Sequence, residues 1–242
     1  MNSIRALSII LAAGRGSRMN VSKPKPLTEI YGKPILSFIQ EGFIKNKIDN
    51  CIVINPKDKD FFKMYEKQCV FVYQDRPKGT GDAVIQAYDL IKMYDYTYVF
   101  VGDSPFIDSI LIKRMLTECK KGNCDSLILT SIFNKKFPYA RVIRNKAGNI
   151  TKITEEIDAS KKELLVNELF CSHYLFKSEI LIKYLPKLRK NKKNRETYLT
   201  CILDKLISDN KKIGSIVVND WRKLVGLNTK EDVYWAKSQK IL

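Results

Sequence analysis

The chain has 242 residues, of which 45% are hydrophobic and 29% are charged, and its formal net charge is +17. This composition is that of an ordinary globular protein, and no apolar run is long enough to span a membrane. The stretch from Met1 to Ala13 continues into a glycine-rich loop instead of a cleavage site. We therefore expect no secretory signal, no membrane partner and a soluble, cytoplasmic protein.

The positive charge is spread along the chain, with one dense run from Lys187 to Arg195. A basic surface can bind nucleic acid, but no aromatic residue interrupts this run to stack on bases. A solvated connector is favoured over a patch for RNA or another anionic surface. We expect no stable nucleic-acid partner.

Cysteine and histidine usage argues against a zinc site. The six cysteines form no C-x-x-C pair, and His173 is the single histidine. The cysteines are predicted to be small buried hydrophobic residues. His173 lies in the alternating run F-C-S-H-Y-L-F, which favours a partly buried strand residue over a catalytic base.

Apolar runs suited to buried strands alternate with helical patterns through the first half of the chain. The predicted strands are Ile4 to Leu11, Cys51 to Asn55, Cys69 to Tyr73, Tyr96 to Val101 and Ser126 to Ile132. The predicted helices are Pro34 to Lys45, Lys57 to Lys67, Thr80 to Met93 and Asp108 to Lys120. This alternation predicts an α/β fold with a mostly parallel sheet covered on both faces.

Beyond about residue 135 the elements become shorter. Y-A-R-V-I-R, the turn K-A-G-N and I-T-K-I-T-E predict a β-hairpin, with Gly148 and Asn149 suited to left-handed backbone. Antiparallel strands and two helices are expected up to about residue 212. A strand from Ile213 to Val218 and a helix from Thr229 to Lys240 complete a single predicted domain.

The opening loop, L-A-A-G-R-G-S-R-M, follows the first predicted strand. Its glycines let a ligand approach the backbone, whose N–H groups suit phosphate. A plain tight turn is the alternative, and the spacing fits neither the dinucleotide nor the Walker pattern. Downstream, Pro24 and Pro26 stiffen the backbone around Lys25, which suits a phosphate contact.

A second glycine-rich turn, Q-D-R-P-K-G-T-G-D-A, runs from Gln74 to Ala83 between a predicted strand and a helix. The amide of Gln74 carries a donor and an acceptor, as the edge of a pyrimidine requires. A structural turn is equally compatible with this stretch.

Two oxygen-bearing residues are candidate Mg²⁺ ligands. Asp103 follows a hydrophobic strand in Y-V-F-V-G-D-S-P, where open α/β sheets place ligands. An N-cap role is disfavoured because Pro105 and Phe106 precede the next helix. Asn228, in V-G-L-N-T-K-E-D, is either the N-cap of the last helix or a metal ligand, and spacing alone leaves both open.

Taken in order, these stretches resemble the nucleotidyltransferases that activate sugar phosphates. The motifs are L-A-A-G-R-G-S-R-M, P-K-P-L, Q-x-x-x-x-G-T-G, V-G-D-S-P, Y-A-R-V, T-E-E-I-D-A and V-G-L-N. From about residue 4 to 231 the chain is similar to the uridylyltransferase domain of bacterial N-acetylglucosamine-1-phosphate enzymes. The resemblance implies a Rossmann-like fold with a nucleotide-binding half (about 1–132), a small acceptor-binding lobe (about 133–212) and a closing strand and helix (about 213–242).

The resemblance also implies residue roles. Arg18 and Lys25 would be catalytic, holding the triphosphate and the acceptor phosphate, while Asp103 and Asn228 would bind Mg²⁺. The implied nucleotide-binding residues are Leu11, Ala12, Ala13, Gly14, Gly16, Gln74, Gly79 and Thr80. The implied acceptor-binding positions are Tyr139, Ala140, Glu155, Glu168 and Phe170. The partners would be a nucleoside triphosphate and a small phosphorylated acceptor.

Departures from the family pattern fall mainly on the acceptor side. Ala140 replaces a glycine, Phe170 replaces an amide residue, Ser172 replaces a glycine, and Asp82 replaces a histidine. Because a polar-recognition site discriminates through paired hydrogen bonds, we expect an acceptor other than N-acetylglucosamine 1-phosphate. The sequence favours transfer of CMP from CTP to a small non-sugar phosphate, such as phosphocholine or phosphoglutamine, in surface polysaccharide or capsule biosynthesis.

Two alternatives are kept. One is a UTP-dependent sugar-1-phosphate uridylyltransferase, because a glutamine amide can turn to match uracil or cytosine. The other is a basic RNA- or protein-binding module on the same scaffold.

Overall fold

A computed structural model describes residues 4–14 and 23–239. The strands, numbered along the chain, are β1 (Ala6–Leu11), β2 (Glu29–Ile30), β3 (Lys33–Pro34), β4 (Asp49–Ile54), β5 (Val70–Tyr73), β6 (Tyr96–Val101), β7 (Ser126–Ile132), β8 (Ala140–Arg144), β9 (Ile150–Thr154), β10 (Glu168–Lys177) and β11 (Ile213–Val217). The α-helices are α1 (Ile35–Lys45), α2 (Thr80–Ile85), α3 (Tyr88–Ile91), α4 (Ser109–Lys121), α5 (Ser178–Tyr184), α6 (Cys201–Ser208) and α7 (Lys230–Ser238).

The main sheet has the strand order β11-β7-β10-β6-β1-β4-β5. Neighbouring strands are parallel except at β10, which is antiparallel to both β6 and β7. The hairpin β8-β9 extends from β10. This mostly parallel sheet, flanked by helices, confirms the predicted Rossmann-like fold class. It also brings the carboxyl ends of β1 and β6 together, with Leu11 opposite Val101.

Apolar residues alternate between the two faces of the central strands, as a sheet covered on both sides requires. Ile10 and Phe100 belong to one buried cluster, whereas Ile9 and Val99 belong to the other. Helix α4 covers the first face with a buried stripe, and its N-cap Asp108 accepts a hydrogen bond from the Leu111 N–H at 2.8 Å. This cap explains why α4 begins where it does.

Two predicted helices differ from the structure. The segment Pro56–Tyr65 is 3₁₀-helical, with Phe62 and Tyr65 as its buried residues. In a 3₁₀-helix, residues three apart lie above one another, so these two rings face the core together. The predicted helix from Thr80 to Met93 is instead two short helices, α2 and α3, joined through the buried Ala87 at φ −94° and ψ 11°.

The predicted hairpin is present as β8 and β9, and Gly148 takes φ +82° in its turn. Asn149 does not adopt the left-handed backbone expected of it. Strand β10 changes register between Phe170 and Tyr174, and Ser172 lies inside this irregularity at φ +61°. A non-glycine residue there is uncommon, and it coincides with one of the departures from the family pattern.

His173 is fully buried on β10, more deeply than the sequence pattern predicted. Its ring packs edge-on against Phe100, with 4.9 Å between ring centroids. Neither ring nitrogen has a hydrogen-bond partner within residues 4–14 and 23–239, and burial lowers the pKa of His173 to about 3. This neutral imidazole is a core residue.

The six cysteines are free thiols, four of them buried and two, Cys69 and Cys201, partly exposed. Burial raises the pKa of Cys51 to about 12, as expected for an inert core thiol. Across the described parts of the chain, no group of three or more His, Cys, Asp or Glu side chains is arranged to hold a metal ion. None of the helices described there has the length and apolar character needed to cross a bilayer.

Candidate active site

A cavity of about 330 Å³ opens at the carboxyl ends of β1 and β6. Ten residues implied by the family resemblance line it: Leu11, Ala12, Ala13, Gly14, Lys25, Gln74, Gly79, Thr80, Asp103 and Asn228. The remaining lining residues are Pro26, Pro77, Ala83, Val101, Gly102, Glu196 and Tyr198. The fold therefore brings the predicted nucleotide, lysine and metal positions into one cavity.

Lys25 lies at the centre of the charged part of this cavity. It begins a short 3₁₀ turn between Pro24 and Pro26, which hold its backbone. Its ammonium donates hydrogen bonds to the carboxylate of Asp103 and, at 2.6 Å, to Oδ1 of Asn228. The side chains of Lys25 and Asp103 are only 12% and 20% exposed. The three groups form a partly buried, charge-assisted cluster.

Two glycines let the backbone pack closely around Asp103. The Gly102 N–H donates to the Leu11 carbonyl at 2.9 Å, and a Cβ on Gly102 would lie 2.8 Å from that oxygen. A Cβ on Gly226 would lie 2.7 Å from Oδ1 of Asp103. The Leu227 N–H also donates to the Asp103 carbonyl at 2.8 Å. Asp103 is thus held between the end of β6 and the loop before α7.

The N-cap alternatives for both metal candidates are wrong in this structure. Asp108 caps α4, and Thr229 caps α7 through a capping box with Asp232. Asn228 lies one residue before that cap. Its Nδ2 donates to the Gly226 carbonyl at 3.0 Å, and Oδ1 accepts from Lys25. Both candidates are therefore free of capping roles.

The oxygens of Asp103 and Asn228 fit a Mg²⁺ ion. Both converge on one cationic group, the Lys25 ammonium, so a positive charge already lies between a carboxylate and an amide oxygen. Mg²⁺ prefers such hard oxygen ligands and commonly uses one or two protein oxygens together with substrate phosphates. Asp103 and Asn228 would supply the protein part of this coordination.

The second glycine turn forms the other wall of the cavity. Gln74 follows β5, and its N–H donates to the Ile54 carbonyl at 2.9 Å. Gly79, at φ +105°, packs against Thr197, whose carbonyl would lie 2.5 Å from a Cβ on that glycine. Thr80 Oγ1 accepts from the Leu199 N–H at 3.0 Å. The Thr80 hydroxyl oxygen therefore has a contact within the fold, and the role of Thr80 in nucleotide binding stays a prediction.

The five predicted acceptor positions do not line this cavity. Tyr139 lies closest to the charged cluster, where its hydroxyl accepts from the Gly226 N–H at 3.0 Å and burial raises its pKa. Burial likewise raises the pKa of Glu155, whose Oε1 accepts from Thr200 Oγ1 at 2.5 Å. Their role in acceptor binding stays a prediction.

The other three acceptor positions are engaged within the protein. Arg144 donates two hydrogen bonds to Glu168, from Nε at 2.7 Å and from Nη2 at 2.6 Å. Thr130 Oγ1 adds a third at 2.7 Å. Ala140 and Phe170 are paired across β8 and β10 and are 3% and 1% exposed. Acceptor binding by these residues also stays a prediction.

Gly16 and Arg18 fall outside the described residues, so their assigned roles stay predictions. Conversely, the cavity contains Glu196 and Tyr198, which the motif analysis missed. They directly follow the basic run, and no pattern in that run indicates that the chain returns to the cavity. Two backbone hydrogen bonds hold this segment against the cavity. The Thr197 N–H donates to the Lys78 carbonyl at 2.7 Å, and the Gly81 N–H donates to the Thr197 carbonyl at 2.8 Å.

We expect Gly226→Ala to lower the turnover of this site about 100-fold, because the new methyl group would displace the Asp103 carboxylate. Gly214→Ala is the matched control, since its Cβ would lie 2.7 Å from Cys124 Sγ, away from the cavity. Turnover and thermal unfolding of both variants separate the two effects. Equal turnover in the two variants would contradict the placement of Gly226 against Asp103.

The chain is similar to known proteins over most of its length. Residues 8–198 match the family model described as the MobA-like NTP transferase domain. The bifunctional protein GlmU of Clostridium kluyveri is 37% identical over 238 residues, covering 97% of this chain and 52% of that protein. GlmU of Caldicellulosiruptor saccharolyticus is 31% identical over 241 residues, covering 98% and 52%. The chain spans about half the length of these relatives.

A Bacillus anthracis crystal structure assigned as a glucose-1-phosphate thymidylyltransferase, in complex with sucrose, superposes with a TM-score of 0.79. It covers 96% of this chain and 94% of that one at 20% identity, which supports the fold. The family match extends over most of the sheet and includes the glycine turns and Asp103. The chain belongs to the MobA-like NTP transferase domain family.

Proposed function

We propose that the chain is a Mg²⁺-dependent nucleotidyltransferase that transfers a nucleoside monophosphate from a nucleoside triphosphate to a sugar 1-phosphate, releasing pyrophosphate. The observation that carries the proposal is the convergence of Lys25, Asp103 and Asn228 beside the first glycine turn. A partly buried cation beside oxygens of the kind that bind Mg²⁺ is an arrangement suited to a polyphosphate ligand. The family match and the ordered motifs support the same reaction class.

The reaction would be an in-line displacement in which an acceptor phosphate oxygen attacks the α-phosphorus. Catalysis of this kind is mainly positioning and charge stabilisation. The backbone N–H groups of Ala13 and Gly14 donate to no residue of the described ranges and remain available to the nucleotide. Lys25 offsets phosphate charge, with Arg18 proposed for the same task. Mg²⁺, when held by Asp103 and Asn228, supplies further neutralisation of phosphate charge.

Uridylyl or thymidylyl transfer is the more strongly supported specificity. The relatives that are 31–37% identical are GlmU proteins, and the motif order resembles the uridylyltransferase domain of such enzymes. The expected preference for CTP and a small non-sugar phosphate has no support among these relatives. It is retained as the second candidate for one reason: Ala140 and Phe170 are buried and apolar where the family pattern has glycine and an amide.

Pyrophosphate release tests the proposal. The protein is incubated with Mg²⁺ and each of ATP, GTP, CTP, UTP and dTTP, against one pool of sugar 1-phosphates and another of phosphocholine and phosphorylated amino-acid derivatives. Asp103→Ala is the inactive control. Release with UTP or dTTP and a sugar 1-phosphate is the expected result.

Other outcomes are equally informative. Release with CTP and a non-sugar phosphate would replace the proposed specificity with the second candidate. No release in any combination, together with RNA binding that weakens steeply with salt, would replace the enzyme with a binding module.

A further inference from the structure

The Gln74 amide is held by two acceptors from the first turn of α2. Nε2 donates to Oδ2 of Asp82 at 2.7 Å and to the Gly79 carbonyl at 3.3 Å. Gly79 is the N-cap of α2, and Asp82 lies in its first turn. The Gln74 side chain, the glycine turn and Asp82 therefore form one connected unit beside the cavity.

These contacts determine which way the amide faces. An ionised carboxylate and a backbone carbonyl only accept hydrogen bonds, so both neighbours require the nitrogen of the amide and reject its oxygen. A rotated amide would place Oε1 against two other oxygens. Within residues 4–14 and 23–239, no group donates to Oε1 of Gln74. The amide thus presents an acceptor, and not a donor, for a ligand.

Among the described residues, the Asp82 carboxylate has no hydrogen-bond partner other than Gln74. Its backbone carbonyl accepts from Gln86, but no cation of the described residues pairs with its side chain. Asp82 does not itself line the cavity, whereas Gln74, Gly79 and Thr80 do. The Asp82 carboxylate forms its hydrogen bond with a neutral amide and not with a lysine or arginine. We therefore expect any effect of Asp82 on the cavity to pass through the orientation of the Gln74 amide.

A fixed acceptor distinguishes pyrimidines by the atom at ring position 3. Uracil and thymine carry an N3–H donor, whereas cytosine carries a lone pair there. The N–H groups of Gly79 and Thr80 have no acceptor within the described residues and suit the carbonyl oxygens that flank N3–H. Cytosine would set its N3 lone pair against Oε1, and a buried polar group without its partner is costly.

We propose that Asp82 is a positioning residue that locks the Gln74 amide with its oxygen toward the base, and so makes the site prefer uracil or thymine over cytosine. The inference rests on the proposed function, because it assigns the base-binding part of that same site. Without Asp82, only the longer contact to the Gly79 carbonyl, at 3.3 Å, would oppose rotation of the amide, so its orientation would be less strongly fixed.

Nucleotide binding tests this directly and requires no acceptor substrate. Affinities for UTP and CTP in the presence of Mg²⁺ are measured by calorimetry for wild type, Asp82→Ala and Asp82→Asn. Asp89→Ala is the matched control. Asp89 is exposed and pairs with Lys92 at 2.7 Å, so its replacement removes the same charge outside the cavity. Thermal unfolding confirms that each variant is folded.

We expect wild type and Asp89→Ala to bind UTP at least about tenfold more tightly than CTP, and Asp82→Ala to lower this ratio about tenfold. Asp82→Asn should keep part of the preference, because its Oδ1 still accepts from Nε2. An unchanged ratio in Asp82→Ala, or a wild type that prefers CTP, would overturn the role of Asp82. Failure of every protein to bind any of the nucleotides would overturn the proposed function itself.

Discussion

Lys25→Met should strengthen metal binding in the absence of nucleotide while lowering nucleotidyl transfer about 100- to 1,000-fold. The ammonium of Lys25 occupies the point on which Asp103 and Asn228 converge, so it would compete with a metal ion bound through the same oxygens. Methionine retains the length of the side chain but removes the charge and the donors. The same change therefore has opposite effects on metal affinity and on turnover.

The measurements are Mn²⁺ binding by electron paramagnetic resonance and pyrophosphate release with UTP and the sugar 1-phosphate pool. Lys177→Met is the control, because this lysine pairs with Asp125 at 3.8 Å at the opposite end of the sheet. It should change neither quantity. An unaltered Mn²⁺ affinity in Lys25→Met would contradict competition between the lysine and the metal.

His173 should make the protein sensitive to mild acid. Burial lowers its pKa from the ordinary 6.5 to about 3, so the folded protein keeps the imidazole neutral at pH 5 while the unfolded chain protonates it. The contribution of the neutral His173 to the free energy of unfolding is fully present above pH 6.5, and it is lost as the pH falls from 6.5 toward 3. Each pH unit in that window costs about 1.4 kcal/mol. From pH 7 to pH 5, the loss is about 2 kcal/mol.

Comparison with His173→Leu isolates this effect, because leucine has a similar volume and does not titrate. His173 is the only histidine of the chain, and the carboxyl groups are common to both proteins. Urea unfolding at pH 7 and pH 5 should show wild type losing about 2 kcal/mol more than the variant. Parallel losses in the two proteins would show that the imidazole is accessible to protons in the folded state.

The central strands could be predicted closely from the sequence because their signal is local. Apolar runs bounded by polar turns gave β6 and β7 with their observed limits, and β1 within two residues. The 3₁₀ character of Pro56–Tyr65 was not predictable in this way, since a spacing of three between Phe62 and Tyr65 fits either kind of helix.

The candidate site was predictable only in part, because its members are far apart along the chain. Asp103 and Asn228 were each ambiguous locally. The ambiguity is resolved by the actual helix caps, which are the N-cap Asp108 of α4 and the capping box of Thr229 with Asp232 at α7. The hydrogen bond between Gln74 and Asp82 depends on the rotamers of both side chains, which a sequence motif does not specify. Tyr198 reaches the cavity through backbone bonds of its neighbour Thr197, for which the sequence carries no pattern.

The antiparallel strand β10 constrains the order in which the chain can fold. It supplies the hydrogen bonds between β6 and β7, pairing Tyr174 with Val99 on one side and Ile128 on the other. During synthesis, β5, β4, β1 and β6 can assemble first, but the edge of β6 stays unpaired until residue 177 has emerged. Exposed strand edges promote aggregation, and pairing across long sequence separations is slow. A chain shortened before β10 would therefore leave the edge of β6 unpaired beside the cavity, where we expect it to promote aggregation.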